Sequence, residues 1–227
     1  PCATTARRCS GGARPVRSLP ARGRKLTAER YARDGWSPIP LIAGCKEPIK
    51  GIKVDKYKFD ANHFVGTNVG VRMGVASGGL VDIDADWPEA REIFLGLMKL
   101  ANISTARFGR ASASGSHHLF VVRDLPKTSV NFSLPAKTTL SNLPEEHGHM
   151  VIQYRCTGHT MMPPSQHPCG EEVTWEVEHP PLVIEHERLL RFTSLTAFLA
   201  VCRRYAPSEG IRQDFAGAFA GTMRRAG

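Results

Sequence analysis

The chain has 227 residues and a formal net charge of +9, from 30 Lys and Arg against 21 Asp and Glu, with 41% hydrophobic and 7% aromatic residues. That length suits one medium domain with extensions, or two small ones. No run approaches the roughly 18 consecutive apolar residues of a membrane span, no apolar run follows the N-terminal arginines as a secretory signal requires, and six cysteines without a C-x-x-C pair imply reduced thiols in the cytoplasm rather than a disulfide scaffold.

The charge is unevenly placed. Residues 1–25 hold seven bases and no acid, residues 26–60 hold seven bases and five acids, and residues 61–227 hold sixteen of each. The first segment, rich in Gly, Ser, Pro and Arg and lacking an apolar period, reads as a disordered basic tail. The same composition fits a nucleic-acid-binding arm or a transit peptide.

In chain order, Leu26, Ala28, Tyr31 and Ala32 predict a helix that turns at Asp34-Gly35-Trp36 into the strand Ile39-Pro40-Leu41-Ile42. A Lys-rich, Gly-interrupted connection follows. Residues 68–74 alternate as a strand, and Ala76-Ser77-Gly78-Gly79 turns into a second strand at residues 80–85, which predicts a hairpin. Pro88 opens a helix to about residue 100. Strands are predicted near residues 105–108, 117–122, 150–154, 160–162 and 173–177, with a long loop over 124–149. From Arg188 the pattern is helical, with a break at Pro207. Mixed rather than alternating elements argue for an α+β fold with a largely antiparallel sheet.

The segment Gly78-Gly79-Leu80-Val81-Asp82-Ile83-Asp84-Ala85-Asp86 carries the most chemistry. Alternation turns Val81, Ile83 and Ala85 to one face and the three acids to the other. Neighbouring carboxylates about 7 Å apart repel, and a divalent cation is an economical counter-charge. Hard oxygen ligands suit Mg2+ or Mn2+. The alternative is a solvated strand edge. Asp86, beside Trp87-Pro88, reads as a cap for the following helix.

Downstream, Arg107-Phe108-Gly109-Arg110-Ala111-Ser112-Ala113-Ser114-Gly115-Ser116-His117-His118-Leu119-Phe120 combines two arginines, a small-residue loop and a Ser-x-His alternation. Arg107 and Arg110 offer forked donors to phosphate, and Ser116 and His118 share a strand face. His117 points the other way and reads as structural. Cys156, His159, His167 and Cys169 are the residue types of a zinc site. The preferred reading is that the cysteines are small semi-buried residues and His167 a motif histidine.

The series Gly35-Trp36, Ile39-Pro40-Leu41, Lys46-x-Pro48, Asn68-Val69-Gly70-Val71, Gly78-Gly79-Leu80-Val81-Asp82-Ile83-Asp84, Ser116-His117-His118-Leu119-Phe120 and Pro163-Pro164-Ser165-x-His167 with Gly170 and Trp175 resembles the bifunctional primase-polymerase domain of the archaeo-eukaryotic primase superfamily. The resemblance covers roughly residues 26–185. It implies an RRM-like, mostly antiparallel sheet beside a smaller α/β unit, and a catalytic core that joins nucleoside triphosphates on a single-stranded DNA template with Mg2+ or Mn2+. Carried over, Asp82 and Asp84 match the metal-binding acids, and Ser116 with His118 match the nucleotide-binding pair, His118 being counted with the acids as catalytic. Arg107 and Arg110 follow from charge and position, and Arg155 from the acid-x-Arg pattern.

One departure stands out. Where that pattern has an acid, this chain has Gln153-Tyr154-Arg155. An amide oxygen is a weak ligand, so Asp86, Glu171 or Glu172 substitutes, or the module binds nucleotide and DNA with weakened catalysis. A metal-dependent nuclease using the same acids is a further alternative. Residues 186–227 resemble the helical connector of larger replication proteins of plasmids, phages or mobile elements, which implies a C-terminal helical pair and a fused or separate helicase.

Overall fold

The computed structural model describes residues 21–134 and 149–205, with isolated positions at 213, 216, 217, 220 and 221. The tail over 1–20 therefore lies outside the described residues, as does nearly all of the helix expected after Pro207. The described elements are α1 (Ala21–Arg33), β1 (Ser37–Leu41), β2 (Asn68–Arg72), β3 (Leu80–Asp84), α2 (Pro88–Leu100), β4 (Arg107–Arg110), β5 (Ala113–Val121), β6 (Val130–Ser133), β7 (Met150–Arg155), β8 (His159–Met162), β9 (Ser165–Gln166), β10 (Glu172–Val177), β11 (Leu182–Val183) and α3 (His186–Arg204). Helix α1 begins five residues ahead of the Leu26 start and includes residues 21–25, counted with the tail from composition. Strand β6 crosses the segment predicted as a loop. Its half-exposed edge position leaves too little apolar pattern to read.

The strands form a three-stranded sheet, β1-β2-β8, and an eight-stranded sheet in the order β6-β7-β3-β5-β4-β10-β9, with β11 added parallel to β5. All other pairings are antiparallel. The expected hairpin of β2 with β3 is not formed: β2 lies between β1 and β8, and β3 between β5 and β7. The physical reason is burial. Every residue of β3 is buried, so both its edges and both its faces are better satisfied at the centre of a wide sheet than in a local pair. The single helical turn Val75–Ser77 carries the chain from one sheet to the other. Gly79 makes that crossing possible: its φ is +89°, and a Cβ there would sit 2.3 Å from the Val122 carbonyl oxygen.

Two apolar clusters flank the large sheet. On one face Val81, Ile83, Phe120 and Ile152 pack with Phe94 and Met98 of α2 and with Leu189, Ala197 and Ala200 of α3. On the other, Leu80, Phe108 and Leu119 pack with Val69, Val71 and Met162 of the small sheet and with Ala28 and Tyr31 of α1. Helix α2 starts at the Pro predicted for its first turn and buries Ala90, Phe94 and Met98. Arg204 locks α3 to it, with Nη2 2.5 Å from Glu89 Oε2 and its guanidinium 3.6 Å from the Trp87 ring centre. The segment read as a connector thus begins with a helix that contributes to the core. The small sheet sits against the face of β3 that carries the acids, and this packing positions the site.

Candidate metal centre

Register decides what surrounds the acids. Asp82 lies opposite Leu119 on β5 and Arg155 on β7, and Asp84 lies opposite His117 and Gln153. Directly opposed residues share a face, so His117, Arg155 and Gln153 all join Asp82 and Asp84. Asp82 is fully buried and Asp84 is 8% exposed, which removes the solvated-edge alternative. Asp82 Oδ2 accepts hydrogen bonds from His117 Nδ1 at 3.0 Å, Thr160 Oγ1 at 2.8 Å and Arg155 Nη1 at 3.5 Å. Asp84 Oδ2 accepts from Arg155 Nη2 at 2.8 Å, and its Oδ1 lies 3.6 Å from His117 Nδ1.

The counter-charge that the repelling acids require is therefore already present in the protein, as Arg155 and His117. Burial opposes ionisation of Asp84, but His117, Arg155 and Lys46 outweigh it and hold its carboxyl below the usual value. Burial likewise opposes charge on His117, and Asp84 with Asp82 outweigh it and hold the imidazole above the usual value. Stability from the depressed Asp84 is present above the ordinary carboxylate value of 3.8 and is lost as pH falls through the folded value. Stability from the raised His117 is present below 6.5 and is lost as pH rises through its folded value. In EDTA, the stabilisation that the wild type holds over His117→Gln is expected to be greatest between these limits and to shrink on the alkaline side, as read by urea unfolding across pH.

Asp82, Asp84 and His117 each present a ligand atom within 4.8 Å of the others, and among the described residues they are the group with that property. Two carboxylates and an imidazole suit a hard or borderline divalent cation. Cys156 donates to the Pro126 carbonyl, His159 to the Lys46 carbonyl, and Cys169 Sγ lies 3.0 Å from His167 Nδ1, so the four are divided among three different contacts.

The other expected site residues are placed as follows. His118, expected beside the acids, is on the opposite face: it is 1% exposed, 4.9 Å from the Phe94 ring, and donates through Nε2 to the Gly115 carbonyl. Burial, with Arg107, pushes it down to about 3, so it is uncharged at neutral pH. His117, read as structural, stands with the acids and stacks on Phe108 at 4.6 Å with an interplanar angle of 7°. Arg107, opposite His118 in the β4–β5 register, is tied at 3.0 Å to Glu176. Arg110 reaches Ser112 and Glu171. Arg155 binds the acids and the Gln153 carbonyl.

Among the substitutes for a third acid, Glu171 is held by Ser112 and Arg110, and Glu172 opens β10 opposite Gln166. Asp86 does not cap α2. The cap position belongs to Trp87, without a side-chain bond. Asp86 is exposed to solvent yet closely ringed by protein, and that desolvation with the Asp84 charge pushes it up to about 7.

A cleft of about 470 Å3 opens over these residues between the two sheets, with Lys46, Arg110, Ser116, His117, Arg155 and His167 in its walls. Ser116 is 4% exposed, and its Oγ has no hydrogen-bond partner among the described residues. Burial, Arg110 and Lys46 push His167 down to about 3 and keep it neutral. Lys46, to which the sequence attaches no role beyond its place in Lys46-x-Pro48, lines the cleft.

The fold is an α+β domain in which a buried acid pair and an imidazole, a donor set that could hold a divalent cation, lie beneath a cation-lined cleft. The chain belongs to the bifunctional DNA primase/polymerase, N-terminal, family, whose model matches residues 28–187. Membership implies nucleotidyl transfer of the DNA primase/polymerase type, with DNA and nucleotides as substrates. A search of curated proteins returned no match. Among the described residues, no helix is long and apolar enough to cross a membrane.

Proposed function

We propose that the chain joins nucleoside triphosphates on a single-stranded DNA template, with Asp82, Asp84 and His117 holding Mg2+ or Mn2+ at the floor of the cleft. The observation that carries this reading is the convergence of three ligand atoms within 4.8 Å under a cleft walled by Lys46, Arg110 and Arg155. When bound, such ions supply charge neutralisation at the phosphoryl group being transferred. The protein's own residues bind and orient. Arg110 and Lys46 offer cations to the triphosphate, whereas Ser116 borders the cleft with its hydroxyl buried. No covalent enzyme intermediate is required, because positioning and preorganised charge suffice for phosphoryl transfer. The strand order β7-β3-β5-β4, with α2 between β3 and β4, supports an RRM-like core for this chemistry.

Primer synthesis and primer extension on single-stranded DNA, with Mg2+ and with Mn2+, test the proposal. Incorporation of labelled nucleotide is expected, and DNA loss in the absence of nucleotides would favour a nuclease.

One observation favours a weakened polymerase as the second reading. Gln153, opposite Asp84, spends its carbonyl on Arg155 Nε at 2.8 Å and its amide on Asn131. A neutral group there leaves the centre one charge short of a three-acid site. Gln153→Asp is expected to raise incorporation by about tenfold or more if the natural site is weakened. Unchanged synthesis would show that Gln153 is already compatible with full activity.

A further inference from the structure

Residues 50–58 carry Lys50, Lys53, Lys56 and Lys58 against the single acid Asp55. All four lysines are exposed and have no ion pair among the described residues. This contrasts with the arginines of the large sheet, where Arg107, Arg110 and Arg155 are each tied to a carboxylate.

The segment is held in a defined shape. Val54 and Tyr57 turn inward and pack on the cluster beneath the small sheet. Tyr57 Oη bonds to both the backbone N–H and the carbonyl of Asp60. The turn Val54–Lys56 is a single helical turn, and the next, Ala61–Phe64, is fixed to α1 by Lys25 Nζ donating to Asn62 Oδ1 at 3.0 Å. With Val54 and Tyr57 as inward anchors, Lys53, Lys56 and Lys58 are left on the solvent side. Phe59 follows them directly, 40% exposed, its ring 5.6 Å from that of the buried Phe64.

The strip also begins at the cleft. Lys46 lines the cleft, and the loop that carries it is bound to β1 through Ile42 N to Glu47 O and Ile49 N to Pro40 O. His159 of β8 donates to the Lys46 carbonyl. Cations thus run from the cleft wall outward across the small unit.

From this placement we infer that the strip formed by Lys50, Lys53, Lys56, Lys58 and Phe59 is a docking surface for single-stranded nucleic acid entering or leaving the cleft. Unpaired lysines suit backbone phosphates, and a supported, half-exposed aromatic ring suits base stacking. An acidic protein would be served by the lysines but gains little from Phe59. The inference rests on the proposed template-directed reading, and it names where on the chain the strand lies.

The test uses the full chain and a fluorescein-labelled oligothymidylate, read by anisotropy from low to moderate salt, with binding of a nucleoside triphosphate in Mn2+ and nucleotide incorporation measured in parallel. Lys50→Ala/Lys53→Ala/Lys56→Ala/Lys58→Ala is expected to weaken oligonucleotide binding about tenfold or more. It should also reduce the slope of log affinity against log salt by about 2 to 3, at about 0.7 per lost contact. Triphosphate binding should not change, which shows that the variant is folded. The quadruple Lys→Arg variant should retain wild-type affinity, and Phe59→Ala should lose about fivefold or more on DNA while leaving polyglutamate binding unaltered. Unchanged affinity and slope in the quadruple alanine variant, with the wild type still incorporating nucleotide, overturns the surface alone. A wild type that binds no oligonucleotide overturns the surface and the template-directed reading together. Polyglutamate bound as tightly as DNA overturns the surface in favour of an acidic protein. A wild type that incorporates nothing, but loses oligonucleotide binding with the four lysines, supports the surface and sinks the catalytic reading.

Discussion

Asp84→Asn is expected to lower nucleotide incorporation by about 10²–10³-fold or more, the scale associated with deleting one preorganised charged or hydrogen-bonding group at a reacting phosphate or carbonyl. The substitution keeps the side-chain volume and removes one of the three candidate ligands. It also frees Arg155 Nη2 from its 2.8 Å contact. Asp82→Asn should be at least as damaging to activity but harder to interpret. Asp82 is fully buried and accepts from His117, Thr160 and Arg155 at once. An amide presents one oxygen and two donor hydrogens to three donors, so the variant should also unfold more readily. Breaking a buried ion pair from one side typically costs about 3–5 kcal/mol. The two variants separate cause from consequence when incorporation is measured beside Mn2+ affinity and urea unfolding in EDTA. Asp84→Asn should lose Mn2+ affinity with a modest change in unfolding midpoint, whereas Asp82→Asn should lose both. Full incorporation by Asp84→Asn would remove the metal centre from the mechanism.

Individual elements were legible where one local signal dominated. The Pro88 start of α2 and its apolar spacing needed no tertiary information, and the two carboxylates were readable because a D-x-D on an apolar alternation forces both onto one face. What could not be read was pairing. The hairpin expected between residues 68–74 and 80–85 has every local turn signal, yet the sheet separates its strands, because β3 gains more by lying between β5 and β7, which are 30 or more residues away. Arg155 as the resident counter-charge is hidden from sequence for the same reason. Its contact with Asp84 spans 71 positions and depends on the β3–β7 register. Lys46 illustrates a different limit: its role in the cleft wall comes from how one sheet packs over the other, which no period within either strand encodes.

The histidine pair is the sharpest case, and it gives the second large expected effect. Alternation along β5 correctly separates His117 from His118, but alternation alone does not say which of the two faces of β5 meets the acid face of β3. A register shift of one residue would exchange them. The observed register sets Asp84 against His117 and Ile83 against His118. The two substitutions should therefore have opposite signatures. His117→Ala removes a candidate ligand and one of the charges facing Asp82 and Asp84, so Mn2+ affinity should fall about tenfold or more, by the scale of losing a ligand or its immediate support, with incorporation falling in step. His118→Ala instead empties space beside Phe94 in the cluster under α2 and deletes the bond to the Gly115 carbonyl. It should cost about 2–4 kcal/mol of stability, the range for truncating a large buried side chain, while Mn2+ affinity measured below the unfolding transition stays near wild type. Isothermal titration with Mn2+ and thermal unfolding of both variants read the two effects separately. A loss of metal affinity confined to His118→Ala would reverse the assignment and restore the Ser116–His118 face as the working one.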